Sequence, residues 1–139
     1  MTNELFQKNK PNLHYGIDES FINYGFHGDF FIQSEFLNLR DKYNIKNVVE
    51  TGTYKGNTTK WLARFFQGVY TIEIDINYVN DAIANCAEYN NKIKFLHGDS
   101  SILLPEVLDK INDDNVIIFL DAHRRDEYPL EKELLIIEK

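Results

Sequence analysis

A chain of 139 residues is the size of one domain and long enough to bury a core. Its 43% hydrophobic and 27% charged residues, with 10 Phe and 8 Tyr, argue against disorder. A formal charge of -7 without any basic run argues against nucleic acid as a partner, and no apolar stretch reaches the roughly 20 residues that a bilayer-spanning helix needs.

The single cysteine, Cys86, has no partner within the chain, and the opening MTNELFQKNK is too polar for a secretory signal. The expected address is the cytoplasm.

The aromatic segment HYGIDESFINYGFHG (residues 14–28) has no clear period and is expected to be a loop or lid. Residues 29–43 place Phe30, Phe36, Leu37 and Arg40 at mixed helical spacing and predict a leading helix. From Asn47 onward short β-branched runs alternate with helical periods: VVET, KWLARFF, VYTIEID, residues 78–89, KIKFLHGD, SILLPEVLDKI and NVIIFLDAH. Repeated βα units of this kind predict an open parallel α/β sheet, with residues 1–46 as an N-terminal segment and 47–139 as the core.

Three helical faces follow from the spacing: Trp61, Leu62, Phe65 and Phe66; Val79, Ile83 and Ala87; Leu104, Val107, Leu108 and Ile111. Asn77 and Ser100 or Ser101 are candidate N-caps. The strand VIIFL is apolar throughout, as expected where helices cover both faces. The last segment, PLEKELLIIEK, opens as a helix with Pro129 in its first turn. Four strands make a short sheet whose last strand lacks a neighbour, so the chain is expected to be truncated or completed by another subunit, for instance in a homodimer.

Ligands of open parallel sheets bind beyond the carboxyl ends of the strands. There the chain carries Glu50-Thr-Gly-Thr, Glu73-Ile-Asp75, Gly98-Asp-Ser-Ser101 and Asp121-Ala-His123, an acid at every strand end. The loop ETGTYKG spaces its glycines G-x-x-x-G, which fits neither the dinucleotide pattern G-x-G-x-x-G nor a P-loop. Glycines paired with acids favour a nucleoside without phosphates. Glu73 lies 21 positions after Gly52, where an acid accepts hydrogen bonds from both ribose hydroxyls.

With these residues in place, the chain from Val48 to Asp121 resembles a class I S-adenosylmethionine-dependent methyltransferase, nearest in pattern to small-molecule O-methyltransferases of the catechol and macrolide-sugar type. The resemblance implies a Rossmann-like, doubly wound sheet with strand order 3-2-1-4, lacking the last strands of the full fold. It implies that Glu50, Gly52, Thr53 and Gly56, with Thr58 near the helix start, surround the methionine part of the cofactor. Glu73 would then hold the ribose, and Asp99 and Ser100 would lie against the adenine. Asp121 corresponds to the first aspartate of a magnesium site in catechol-like members, whose other ligands follow a strand absent here.

Where that pattern has a lysine base, this chain has Arg124, which stays protonated and takes no substrate proton. His123, of a residue type that titrates near neutrality, is the better general base.

Simpler readings stand beside these. Gly52 and Gly56 serve any strand-to-helix turn, Asp75 serves as an N-cap, and Trp61, Tyr70 and Cys86 serve packing. His123 can be a surface-loop residue, and His14, His27 and His97 have no partner at metal-ligand spacing. The expected function is methyl transfer from S-adenosylmethionine to an oxygen of a small molecule, with His123 or Mg2+ at Asp121 activating the acceptor. The alternatives are a non-catalytic or truncated cofactor-binding module and, less favoured, an NAD-dependent oxidoreductase.

Overall fold

The computed structural model describes residues 25–113, 115–123 and 128–139. Arg124 and most of the aromatic segment, residues 14–24, lie outside them. In chain order the elements are a 3-10 turn (Gly25–Gly28), α1 (Phe30–Tyr43), β1 (Asn47–Thr51), α2 (Asn57–Phe65), β2 (Gly68–Glu73) and α3 (Ile76–Asn85). A second 3-10 turn (Ala87–Tyr89), β3 (Ile93–His97), α4 (Ser100–Ile111), β4 (Val116–Leu120) and α5 (Leu130–Ile137) follow. The strands form one parallel sheet in the order β3-β2-β1-β4, as expected.

The alternation of side chains along each strand divides the core into two layers. Val48 of β1 and Val69 of β2 pack with Phe36 and Leu37 of α1 and Trp61 and Leu62 of α2. Val49 and Ile72 point the other way, onto Leu104 and Val107 of α4 with Ile136 of α5 alongside. The apolar strand β4 follows the same rule, Ile117 and Phe119 facing the first layer and Val116, Ile118 and Leu120 the second. Each of its residues stays half-buried, since among the described residues β4 pairs only with β1.

Several local expectations are corrected. The helix α3 buries Val79, Ala82 and Cys86, while Ile83 is exposed and the helix ends at Asn85 before Ala87. Its N-cap is Asp75, whose carboxylate accepts the Asn77 N–H at 2.8 Å, so Asn77 is capped and is not the cap. Asp99 likewise caps α4, accepting from the backbone N–H and hydroxyl of Ser101 at 2.9 and 2.7 Å. An aspartate in extended backbone before the first turn reaches those orphan donors, which a serine already inside the helix does not. The α1 face also differs: Gln33, Phe36 and Leu37 are buried, and Arg40 hydrogen-bonds the Phe65 carbonyl at 3.1 Å.

Glu133 of α5 is 0% exposed, and among the described residues neither carboxyl oxygen has a hydrogen-bond partner. Among the described residues no helix is long and apolar enough to cross a membrane.

Candidate functional site

The register aligns the strand ends, pairing Thr51 of β1 with Ile72 and Leu120, and Glu73 with His97. Over this carboxyl edge opens a cavity of about 260 Å³. Gly52 and Tyr54 line it from the β1–α2 loop, Glu73 and Ile74 from the end of β2, and Tyr78 from α3. Gly98 and Ser100 contribute from beyond β3, and Asp121, Ala122 and His123 from beyond β4, with His27 of the first turn and Pro129 completing the wall.

Gly52 holds the loop down against the neighbouring strand end. Its N–H donates to the Ile72 carbonyl at 2.9 Å and its φ is +84°. A Cβ there would stand 2.6 Å from the Asp121 carbonyl oxygen, so both the backbone angle and the close approach require glycine. Gly56 has a different task, starting α2 in left-handed backbone (φ +81°) while a Cβ would press on Ala82 and the Cys86 sulfur. Cys86 is fully buried against that turn, and burial pushes its thiol up to about 12, consistent with a packing role.

Glu73 is pre-organised by backbone donors. Tyr54 N–H donates to Oε2 at 2.9 Å and Asp75 N–H to Oε1 at 3.0 Å. Each carboxylate oxygen keeps further acceptor capacity toward the cavity. Tyr54 adopts φ 49°, uncommon for a bulky residue, and stacks edge-on with Tyr78 at a centroid distance of 4.6 Å.

Glu50 lies below the site. It pairs in register with Thr71, two residues before Glu73, which sets it about 7 Å deeper along the sheet. It is 1% exposed, and its Oε2 accepts the Thr59 and Thr71 hydroxyls at 2.5 and 2.7 Å. Since the Thr71 proton goes to Glu50, Thr53 donates to Thr71 across 2.5 Å, giving a buried chain Thr53, Thr71, Glu50, Thr59 that ties the loop to β1, β2 and α2. Burial raises the Glu50 carboxyl to about 7, against the lowering by the two threonine hydrogen bonds, with Asp121 and Glu73 adding to the rise.

The residues singled out from the sequence therefore divide. Gly52, Glu73, Ser100, Asp121 and His123 meet in one cavity. Glu50, Thr53, Gly56, Thr58 and Asp99 are not in its described lining: the first two form the buried chain, Thr58 accepts the Phe26 N–H at 2.9 Å, and Asp99 caps α4. His27, Tyr54 and Tyr78 were missed. An aromatic residue between the two loop glycines was the available signal for Tyr54, and a histidine flanked by Phe26 and Gly28 just before a helix cap was the one for His27.

The Asp121 carboxyl sits above the usual carboxylate range, raised by partial desolvation at the cavity mouth and held back by His123 and His27. Within 3.0 Å of His123 Nδ1 lies the Asp121 carbonyl. A carbonyl only accepts, so Nδ1 carries a proton, and in the neutral ring Nε2 is then the nitrogen with the lone pair that a general base needs. Among the described residues no group of three or more His, Cys, Asp or Glu side chains converges to hold a metal, so the set expected around Asp121 is not assembled from them.

No protein-family model matches the chain, and no curated protein does. Solved structures do match. A Staphylococcus aureus protein assigned as a caffeoyl-CoA O-methyltransferase superposes with TM-score 0.63 at 24% identity, over 95% of this chain and 62% of its own. The O-methyltransferase TomG of Streptomyces achromogenes, from tomaymycin synthesis and solved with S-adenosylmethionine, gives 0.57 at 22% identity, over 78% and 51%. An O-methyltransferase from Bacillus cereus, solved with S-adenosylhomocysteine, gives 0.52 at 24% identity, over 85% and 57%. The chain thus has the Rossmann-like α/β fold of these O-methyltransferases and spans little more than half of their lengths.

Proposed function

We propose that this chain binds S-adenosylmethionine at the carboxyl edge of its sheet and serves methyl transfer to an oxygen of a small molecule. The observation that carries this reading is Glu73: a carboxylate at the end of β2, aimed into the cavity beside Gly52 and already steadied by two backbone N–H groups. Such a group accepts from both hydroxyls of a ribose that arrives without phosphate. Gly52 supports the same reading indirectly, since without a Cβ the loop can lie against the Asp121 strand end and form the cavity wall.

In this reading Gly52 and Tyr54 border the methionine part and Gly98 and Ser100 the adenine. Glu50, Thr53 and Thr59 act from beneath, shaping the loop. Bound adenosylmethionine supplies an electrophilic methyl group on a sulfonium. The chain's own work is to hold the two reactants together, exclude water and accept the acceptor's proton at His123 Nε2.

The same reading takes the protein to be cytoplasmic, with a homodimer covering the free β4 edge, and its net charge of -7 disfavours nucleic acid as acceptor. A second reading, a cofactor-binding module without an acceptor pocket of its own, is favoured by one observation: among the described residues β4 has a strand partner on one side only.

A methyl-transfer assay on phenols and sugars, run with and without magnesium, tests the proposal. Transfer that depends on His123 supports it, and a magnesium requirement would restore a metal at Asp121. Folded protein that binds the cofactor but transfers to none of these acceptors supports the second reading.

A further inference from the structure

We propose that His27 is a substrate-contacting residue, which with His123 brackets the acceptor hydroxyl at the Asp121 end of the cavity. The inference rests on the methyl-transfer reading and deepens it.

The strand order sets the cavity wall out in sequence: Gly98 and Ser100 beyond β3, Glu73 beyond β2, Gly52 beyond β1, and Asp121 to His123 beyond β4. The first three positions are taken by the cofactor in this reading, leaving the β4 end for the acceptor. His27 lines the same cavity as Asp121 and His123.

What brings His27 there is a clamped turn. Phe26, His27 and Gly28 all have left-handed φ, at 54°, 54° and 78°. The Phe26 ring is buried, with centroids 4.7 Å from Phe36, 5.1 Å from Phe119 and 5.3 Å from Trp61. Its N–H bonds Thr58 and its carbonyl accepts from Asp29 N–H at 3.0 Å, while the buried Gln33 amide holds the Gly25 carbonyl at 2.9 Å. All of these contacts anchor Phe26 and its backbone. None requires an imidazole next to it, since asparagine or glycine would satisfy the same backbone angles. Among the described residues no packing contact explains the imidazole, and it faces the cavity.

The chemistry follows from two imidazoles at one hydroxyl. His27 donates an N–H to the acceptor oxygen and orients it. The acceptor's O–H bond breaks with its proton passing to His123 Nε2, the oxygen's electron pair forms the new bond to the methyl carbon, and the carbon–sulfur bond breaks with its pair returning to sulfur as a neutral thioether. A phenol-type hydroxyl, which ionises near about 10, gives up its proton to an imidazole far more readily than a sugar hydroxyl does, so the acceptor class is an acidic hydroxyl.

The test is calorimetric titration of catechol into protein saturated with adenosylhomocysteine, comparing wild type with His27→Asn, which suits left-handed backbone. The expected result is catechol affinity lowered about tenfold, the worth of one hydrogen bond, with adenosylhomocysteine affinity and melting temperature unchanged. Equal catechol affinity in the two proteins, or no catechol binding by the saturated wild type, overturns the proposal. Should His27→Asn melt early, His27→Gly replaces it in the same comparison. Failure of wild type to bind adenosylhomocysteine counts against the cofactor reading itself and is seen before any catechol is added.

Discussion

The backbone carbonyl of Asp121 stands 2.6 Å from the place a Cβ on Gly52 would occupy, so the loop after β1 and the end of β4 meet main chain to main chain at this point. Gly52→Ala should force both a clash and a left-handed alanine, the latter alone costing about 1–3 kcal/mol. Urea denaturation should show a loss of at least that size, and the surviving folded protein should lose adenosylhomocysteine binding. A variant as stable as wild type would mean that the loop relaxes freely.

The Glu50 carboxyl predicts a pH effect with a definite sign. Its pKa rises on folding from 4.5 to about 7, chiefly through burial, so the folded state binds the extra proton between those values. Its contribution to stability is therefore fully present below about 4.5 and lost as pH rises through about 7, on the order of 3 kcal/mol in all. Glu50→Gln keeps an acceptor for Thr59 and Thr71 but does not titrate. The stability difference between wild type and the variant should shift in favour of the variant between pH 4.5 and 7.5, and a difference independent of pH would refute the assignment.

Much of this architecture was legible in the chain, because strand and helix periods are local. The strands and the leading helix came from apolar spacing, the strand order from the resemblance to methyltransferases, and the cavity's Gly52, Glu73, Asp121 and His123 from their place at strand ends. What was not legible depends on register and on distant contacts. Glu50 and Glu73 read alike as strand-end acids, yet pairing of Glu50 with Thr71 puts it two residues below the rim and among threonines. Asp99 reads as a ligand contact, and the backbone turn before α4 gives it a second task as that helix's cap. His27 meets Asp121 only because Phe26 is inserted between α1, α2 and β4.

His123, with its Nδ1 bonded to the Asp121 carbonyl, should matter to chemistry and not to cofactor binding. His123→Asn is expected to lower kcat by about 10²- to 10⁴-fold while adenosylhomocysteine affinity stays the same. Unchanged kcat with an active acceptor would move the base elsewhere.

Glu133 is fully buried with neither oxygen hydrogen-bonded among the described residues, an arrangement that costs stability. Glu133→Met, of similar length and without polar atoms to satisfy, should raise stability by about 1–3 kcal/mol in denaturant melts. Destabilisation by the same change would reveal a partner that the carboxyl needs.

The central claim is that Glu73 holds a ribose at the edge of this sheet. Calorimetry with adenosylhomocysteine tests it most directly, on wild type and on Glu73→Ala. The account predicts saturable one-to-one binding by wild type and a loss of about a hundredfold in the variant, as expected when charge-assisted hydrogen bonds disappear. A folded wild type that gives no binding heat, or a variant that binds as tightly as wild type, would contradict it.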